Sequence, residues 1–131
     1  MGHIALIGYS FGAEIIPFAY NRLSQEVRAS VLLLSLLAPG RATDFEIQIF
    51  GWVGGGPSRD ALPIMPEIRK VAANMLQCFY GIDDDEASLC TSEDMRGAEN
   101  IELPGDHHFD RRYTPIADRI MEGIAKRSGR P

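Results

Sequence analysis

The sequence lacks a long apolar run, a cluster of basic residues and an internal repeat, and each absence excludes a class of protein. Its most apolar stretch runs from Val31 to Ala38, and these eight residues are too few to cross a bilayer as a helix. A formal net charge of -5 without a Lys/Arg cluster argues against a general nucleic-acid-binding protein. No signal peptide is visible, because the chain enters its first apolar segment almost at once. We therefore expect no transmembrane segment and no nucleic-acid partner.

What is present is the composition of a globular protein. Hydrophobic residues make up 45% of the 131 residues and charged residues 24%, which is enough for a core in one domain. A chain that starts at its first strand has no room for strands that would precede it in a larger fold. We therefore expect residues 1–131 to form a single, partial domain, either a fragment or the product of a truncated reading frame.

Short apolar segments alternate with helical patterns along the chain, which predicts an α/β fold with a mostly parallel sheet and flanking helices. The predicted strands are residues 4–7, 29–38, 75–80 and 100–103. The predicted helices are residues 11 to about 23, interrupted or shortened at Pro17, residues 67–73, and residues 114 onwards. Between them, residues 45–50 alternate as in a half-buried strand or an extended loop, and residues 51–57 are glycine-rich and irregular.

The segment Gly8-Tyr9-Ser10-Phe11-Gly12 follows the first predicted strand and opens the first predicted helix. This is the context of the nucleophile-elbow motif G-x-S-x-G, in which a tight turn lifts the serine hydroxyl above the sheet edge. The turn requires small neighbours, which Gly8 and Gly12 provide. The alternative is a Gly-Ser-Gly turn without chemistry, but the flanking strand and helix favour Ser10 as a nucleophile.

Polar side chains follow two further predicted strands, and the carboxyl ends of parallel strands meet at one edge of a sheet. Asp83, Asp84 and Asp85 follow the third strand, and His107 with His108 follows the fourth. The chain order is therefore serine, acid, histidine, as in α/β-hydrolases and unlike the trypsin and subtilisin folds. These residues favour the hypothesis of a serine-hydrolase triad.

Spacing ranks the candidates within each cluster. In hydrolases the acid usually comes three residues after the glycine that ends its strand, which is Gly81 in this sequence. Asp84 is therefore the preferred acid, with Asp83 second and Asp85 third. The usual arrangement of a small residue before the histidine favours His107 as the base.

The other two histidines are interpreted as structural. His108 would point away from its neighbour and pack or hydrogen bond, and His3 stands at a strand start without a partner in the sequence. In the triad, His107 would accept the Ser10 proton, and the carboxylate would fix the imidazole tautomer. The backbone N–H of Phe11 would supply one oxyanion donor, while the second normally comes from a loop that this sequence does not contain.

A metal site is the alternative use of the same polar residues. Asp106, His107, His108 and Asp110, together with the acidic cluster, could in principle bind zinc or another divalent ion. Their spacing matches none of the usual ligand patterns, and a metal would leave the elbow without an explanation. We therefore expect neither a metal nor a cofactor.

Longer segments carry a more specific pattern. They are GYSFGAE at residues 8–14 with PFAYNRL at 17–23, DFEI at 44–47 with GW at 51–52, QCFYG at 77–81, and LPGDHHFD at 103–110. Together they resemble the bacterial virulence protein VirJ family, which includes the C-terminal domain of AcvB, over nearly the whole chain. The sequence departs from that family at Gly105-Asp106, where the family usually has two glycines before the histidines.

The resemblance implies a fold and several functions. The family fold is an α/β-hydrolase, of which this chain matches the C-terminal half. It implies a periplasmic or envelope serine hydrolase, which in the AcvB branch cleaves the aminoacyl ester of lysyl-phosphatidylglycerol. For VirJ it implies an association with type IV secretion, so a non-catalytic interaction protein stays an alternative, as does an inactive fragment. A half-sheet would expose an apolar edge, from which we expect self-association.

Two further expectations follow from a periplasmic location and a lysyl substrate. Cys78 and Cys90 are the only cysteines, and in an oxidising compartment a disulfide between them would tie the acid loop to its strand. The alternative is two buried thiols. If the substrate head group is lysyl, the acidic turn formed by Asp83, Asp85 and Glu86 would attract its ammonium groups.

Overall fold

The structure is a computed structural model that describes residues 2–40 and 64–129. The strand or extended loop predicted at 45–50 and the irregular segment predicted at 51–57 lie outside the described residues. So does the 44–52 part of the family resemblance.

Four strands in these ranges form one parallel sheet, which confirms the predicted α/β fold. In chain order they are β1 (Ile4–Tyr9), β2 (Val31–Leu37), β3 (Leu76–Gly81) and β4 (Glu99–Leu103), and they pair in that same order, β1-β2-β3-β4. Every adjacent pair is parallel, so all four carboxyl ends lie at one edge of the sheet. The residues that follow β1, β3 and β4 are therefore brought to the same edge.

Helices accompany the sheet on either side. In the described part of the chain they are α1 (Phe11–Asn21), α2 (Gln25–Ser30), α3 (Met65–Ile68) and α4 (Thr114–Arg127). Short 3₁₀ turns occupy Ala73–Met75, Ile82–Ala87, Leu89–Thr91, Glu93–Met95 and Phe109–Arg111. None of the described helices is long and apolar enough to serve as a membrane span.

The strands bury side chains on both faces, because successive residues of a strand point to opposite sides. On one face Leu34 and Leu36 belong to a core cluster with Ala13 of α1. On the other face Leu33 belongs to a second cluster with Ile116 and its neighbours on α4. Helices on both faces are the usual cover of a parallel sheet, and in such sheets chemistry gathers at the carboxyl ends of the strands.

Three of the helices differ from the sequence prediction. Residues expected to form a polar connection and the start of a strand instead form α2, because Ser24 caps it: the Val27 N–H donates to Ser24 Oγ at 3.3 Å. Helix α1 continues past the buried Pro17 and ends at Asn21. Helix α3 ends earlier than predicted, in tight turns such as the bond from the Val71 N–H to the Ile68 carbonyl.

A buried carboxylate joins α3 to α1. Glu67 accepts hydrogen bonds from Arg22 at 2.7 Å and from the Asn21 amide at 3.2 Å, and Lys70 lies 3.6 Å away. The hydrogen bond from Arg22 is the largest cause that holds the pKa of Glu67 below its ordinary value. The pairing allows this charged side chain to be buried between the two helices.

Strand β1 forms an outer edge of the sheet, with no strand paired on its far side in residues 2–40 and 64–129. Three of its large side chains are partly exposed: Ile4 to 37%, Ile7 to 50% and Tyr9 to 41%. Exposed apolar side chains beside open backbone groups are the features that favour strand addition.

Candidate active site

Ser10 lies in a tight turn between β1 and α1, with a φ of 56° that is unusual for a residue with a side chain. Its N–H donates to the Leu37 carbonyl at 2.8 Å, and its carbonyl accepts from the Glu14 N–H at 3.1 Å. These bonds hold the strained backbone between the end of β2 and the first turn of α1. Backbone strain supported in this way is common at functional sites.

The two glycines of the motif are not equivalent. A Cβ at Gly8 would lie 2.5 Å from the Gly12 carbonyl oxygen, so only glycine fits at this position. A Cβ at Gly12 would meet no atom within 4 Å among the described residues. The close approach that the elbow requires is therefore at Gly8.

The Ser10 hydroxyl faces His107. Ser10 occupies the N-cap position of α1, but its side chain makes no capping hydrogen bond. Instead Oγ lies 2.8 Å from His107 Nε2, although the two residues are 97 positions apart in the sequence. A hydroxyl at this distance can donate its proton to the ring nitrogen, which is the contact that general-base activation needs.

The loop that carries His107 packs closely on the turn that carries the acid. The Asp83 N–H donates to the Gly105 carbonyl at 2.9 Å. Gly105 has a φ of 103°, and a Cβ added at Gly81 would collide with the backbone of Gly105 and Asp106. Glycine at these two positions lets the two loops approach, which brings His107 next to the acidic turn.

Of the three aspartates in that turn, Asp84 is the one that contacts His107 within the described chain. Its Oδ2 lies 3.4 Å from His107 Nδ1, and the two side chains are 30% and 37% exposed. Asp83 and Asp85 are exposed. With the proton on Nδ1, the imidazole donates to Asp84 and accepts from Ser10, which is the tautomer a serine nucleophile requires. The contact is longer than the 2.7–2.9 Å typical of charge-assisted bonds, so its pull on His107 is moderate.

Phe11 begins α1, so its backbone N–H lies at the positive end of the helix, directly after Ser10. This is the position from which an oxyanion donor acts in an elbow. The assignment of that N–H to the oxyanion stays a prediction. His3, interpreted as structural, lies exposed before β1, at the end of the strand away from Ser10.

Tyr9 is a site residue that the sequence did not single out. Its hydroxyl lies 2.9 Å from the His107 carbonyl oxygen and 2.9 Å from His108 Nδ1. Burial raises the pKa of Tyr9, and Tyr113, Asp106 and Asp84 raise it further. The phenol is therefore neutral and keeps its proton. An aromatic side chain beside the nucleophile was the available signal, but its partners could not be identified from spacing.

The Asp106 side chain has a structural role in the histidine loop. Asp106 Oδ1 accepts a hydrogen bond of 2.8 Å from the His108 N–H, which is an Asx turn across the histidine loop. His108 itself hydrogen bonds to Tyr9. A side chain at position 106 therefore stabilises the loop in a way that a glycine could not.

The two cysteines form a disulfide in the structure. It joins Cys78 of β3 to Cys90 in the 3₁₀ turn Leu89–Thr91, with the two Cα atoms 5.5 Å apart. Both residues are buried. Since Asp84 lies between them in sequence, the bond closes a loop that contains the acid.

The alternative metal site is not assembled. In the described ranges, no three His, Cys, Asp or Glu side chains are grouped so that they could hold a metal ion. Asp106, His107, His108 and Asp110 follow one another in one loop, but Asp106 caps the turn and the histidine rings face Ser10 and Tyr9.

A cavity of about 570 Å³ lies elsewhere, at the amino ends of the strands. Its lining includes Leu32, Asn74, Glu99, Lys126 and Arg127. Ser10, Asp84 and His107 do not line it, since they lie at the opposite edge of the sheet. The cavity is therefore not the place where the Ser10 hydroxyl could react.

The family model described as "Bacterial virulence protein (VirJ)" matches residues 1–128, which is nearly the whole chain. The match includes the elbow, the acidic turn and the histidine loop. No curated protein sequence and no solved structure matches the chain. The family description gives neither a reaction nor a substrate, so both have to be argued from the geometry of the site.

Proposed function

This chain belongs to the VirJ family of bacterial virulence proteins, and on that basis we propose that it is a serine hydrolase of carboxylic esters. The observation that carries the proposal is the 2.8 Å contact between Ser10 Oγ and His107 Nε2, with Asp84 on the other ring nitrogen. These side chains come from loops after three different strands. A nucleophile, a base and an orienting carboxylate in one hydrogen-bonded chain are the parts of a triad.

The geometry supports a two-step reaction. His107 Nε2 accepts the Ser10 proton as Oγ forms a bond to the ester carbonyl carbon, and the carbonyl oxygen takes the negative charge. The Phe11 N–H would stabilise that oxyanion. The tetrahedral intermediate then breaks its bond to the alcohol oxygen, which receives the proton from His107. Water, activated by the same imidazole, releases the acid from Ser10 and restores the hydroxyl.

We further propose that the substrate is an aminoacyl ester of a phospholipid, such as lysyl-phosphatidylglycerol, as the family resemblance implies. Exposed Asp83 and Asp85 beside the triad would favour a cationic acyl group. The side chain of Glu86, the third member of that acidic turn, lies outside the described residues. A periplasmic location is proposed from the family, and the disulfide is compatible with an oxidising compartment.

The test of the reaction is labelling by a fluorophosphonate probe, with Ser10→Ala as the variant and Ser128→Ala as its control. Ser128 lies at the far end of α4, and its hydroxyl donates to the Ala125 carbonyl of the same helix. We expect wild type and Ser128→Ala to be labelled equally and Ser10→Ala to be unlabelled. Hydrolysis of p-nitrophenyl butyrate should follow the same pattern. A folded wild-type chain that is not labelled would overturn the proposal.

The test of the substrate uses vesicles that contain lysyl- or alanyl-phosphatidylglycerol, with the released amino acid as the readout. The double variant Asp83→Asn with Asp85→Asn should lose its preference for the lysyl ester while p-nitrophenyl butyrate hydrolysis is kept. An unchanged preference would remove the acidic turn from the proposal without affecting the triad.

A non-catalytic interaction protein linked to type IV secretion is the second candidate. The observation that favours it is the edge of β1, which pairs with no strand on its far side among the described residues and where Ile7 is 50% exposed. Such an edge would accept a strand from a secretion protein or from a second copy of the chain. If Ser10→Ala kept the full biological function of the protein, this candidate would be preferred.

A further inference from the structure

We propose that Tyr9 and His108 together act as a latch that positions His107 against Ser10. This Tyr9–His108 latch rests on the proposed function, because it concerns the base of that reaction. Neither residue contacts the reacting atoms in the proposal. Both are positioning residues that act through the backbone of His107.

The latch is a chain of hydrogen bonds with one consistent direction. A carbonyl oxygen can only accept, so the Tyr9 hydroxyl must donate to the His107 carbonyl, 2.9 Å away. Its single proton is then used. The second contact, 2.9 Å to His108 Nδ1, requires that His108 donate to the Tyr9 oxygen. The geometry therefore assigns the proton of a neutral His108 ring to Nδ1.

The latch connects two residues that the fold places near the ends of different strands of the sheet. Ser10 follows β1 and His107 follows β4, so two strands separate the nucleophile from its base. His107 is carried by a loop, is 37% exposed, and has only a 3.4 Å contact to Asp84. Proton transfer depends on the position and orientation of the base, so a bond that fixes the His107 backbone would favour it. Tyr9 adjoins Ser10, so its bond ties the base directly to the backbone of the nucleophile.

Contacts between the rings, and the turn between Asp106 and His108, also support the latch. The rings of Tyr9 and His107 have centroids 5.4 Å apart, and the rings of His107 and His108 meet edge-on at 5.6 Å. The bond from the His108 N–H to Asp106 Oδ1 fixes where His108 leaves the loop. The His107 ring thus packs against the rings of both Tyr9 and His108.

The raised pKa of Tyr9 keeps the phenol protonated at neutral pH, so the donor of the latch is present under working conditions. Both hydrogen bonds are exposed, and water can replace them when the hydroxyl is removed. Loss of the hydroxyl should therefore change the position of His107 more than the stability of the fold.

The kinetic test is Tyr9→Phe, with Tyr113→Phe as the matched control. Tyr113 is a nearby exposed tyrosine whose hydroxyl makes no hydrogen bond to the described residues. We expect Tyr9→Phe to lower the rate of fluorophosphonate labelling by about 10- to 100-fold. With p-nitrophenyl butyrate, kcat should fall while KM stays within about twofold, because the change affects the base and not binding. A rate equal to that of Tyr113→Phe would overturn the latch.

A second pair of variants tests whether position 108 donates the hydrogen bond to the Tyr9 oxygen. Asn at position 108 can place an amide donor where Nδ1 lies, whereas Leu cannot. His108→Asn should therefore lose less labelling rate than His108→Leu. Equal losses would mean that the hydrogen bond from position 108 has no role in positioning His107.

A spectroscopic test separates failure of the latch from failure of the hydrolase proposal. Proton–nitrogen correlation spectra of the imidazoles at about pH 8.5, well above the ordinary histidine pKa, report the tautomer without any catalysis. We expect Nδ1–H for His108, and ring resonances of His107 that move in Tyr9→Phe but not in Tyr113→Phe. If the wild type is unlabelled by the probe yet these shifts are seen, the latch stands and the hydrolase fails. A proton on Nε2 of His108 would refute the latch in either case.

Discussion

The two ends of the sheet use polar residues in opposite ways. At the carboxyl end, Ser10 has a positive φ, and the contact between His107 and Asp84 is long and half exposed. Towards the amino ends of β3 and β4, Gln77 is buried completely, and its side-chain oxygen accepts a hydrogen bond of 2.9 Å from the buried Ser35 hydroxyl of β2. One end holds the candidate catalytic groups in strained, partly exposed positions, and the other end pairs its polar groups with one another.

The polar side chains at the amino end form a network of hydrogen bonds and ion pairs. The Gln77 amide donates to the Arg119 carbonyl at 3.0 Å and to Glu99 at 3.3 Å. Glu99 also pairs with the guanidinium groups of Arg119 and Arg127. The cavity of about 570 Å³ adjoins this network. A cavity does not by itself indicate a reaction site, and the proposed site rests instead on a hydroxyl with a strained backbone that faces an imidazole.

The largest expected effect comes from the 3.4 Å contact between Asp84 and His107 at the carboxyl end. Asp84→Asn keeps the shape of the turn but removes the charge that stabilises the protonated base. We expect the rate of fluorophosphonate labelling to fall on the order of 10²- to 10³-fold. Asp83→Asn is the control, since Asp83 holds the histidine loop through its backbone N–H. Equal losses in the two variants would mean that general negative charge, and not Asp84, supports His107.

An intermediate effect is expected from the covalent bond beside the acidic turn. The disulfide spans a sequence separation of 12, and closing a loop of that size stabilises a fold by about 3 kcal/mol. Replacing Cys78 and Cys90 by Ala should lower the free energy of unfolding by about that amount, measured by urea denaturation. Reduction of the wild type should reproduce the loss. If the reduced protein were as stable as the oxidised one, the bond would not be what holds the acid turn.

The smallest effect is expected at the amino end. Glu99→Gln weakens two partly exposed ion pairs, so the free energy of unfolding should fall by about 1 kcal/mol or less. The labelling rate should not change, because the network lies at the far edge of the sheet. A marked loss of labelling with unchanged stability would show that the two ends are coupled, and the contrast between them would fail.

Much of the fold and of the candidate site could be predicted because strand ends converge. Four short apolar segments indicated the four strands, and the carboxyl ends of parallel strands meet, so Ser10, Asp84 and His107 could be grouped before any distance was known. The family assignment was also confirmed. The catalytic roles of Ser10, Asp84 and His107 stay a proposal until they are tested.

What could not be predicted depends on contacts between distant residues. Helix α2 was missed because six residues carry too little periodicity, and only the cap at Ser24 indicates it. Tyr9 was missed because its partners are 98 and 99 positions away. The role of Asp106 follows from a turn geometry that a two-residue pattern does not specify. Spacing indicates which elements meet, but not which atoms bond.

The strands pair in the order in which a ribosome makes them, and this has a consequence for when Ser10 can meet His107. Each strand emerges after the neighbour it joins, so the sheet can grow at one edge during synthesis. Ser10 follows β1, the first of these four strands to be made, whereas His107 follows β4, the last. Until β4 is in place, His107 is not held beside Ser10. If the proposed triad operates, Ser10 would therefore be activated only after all four strands have been made.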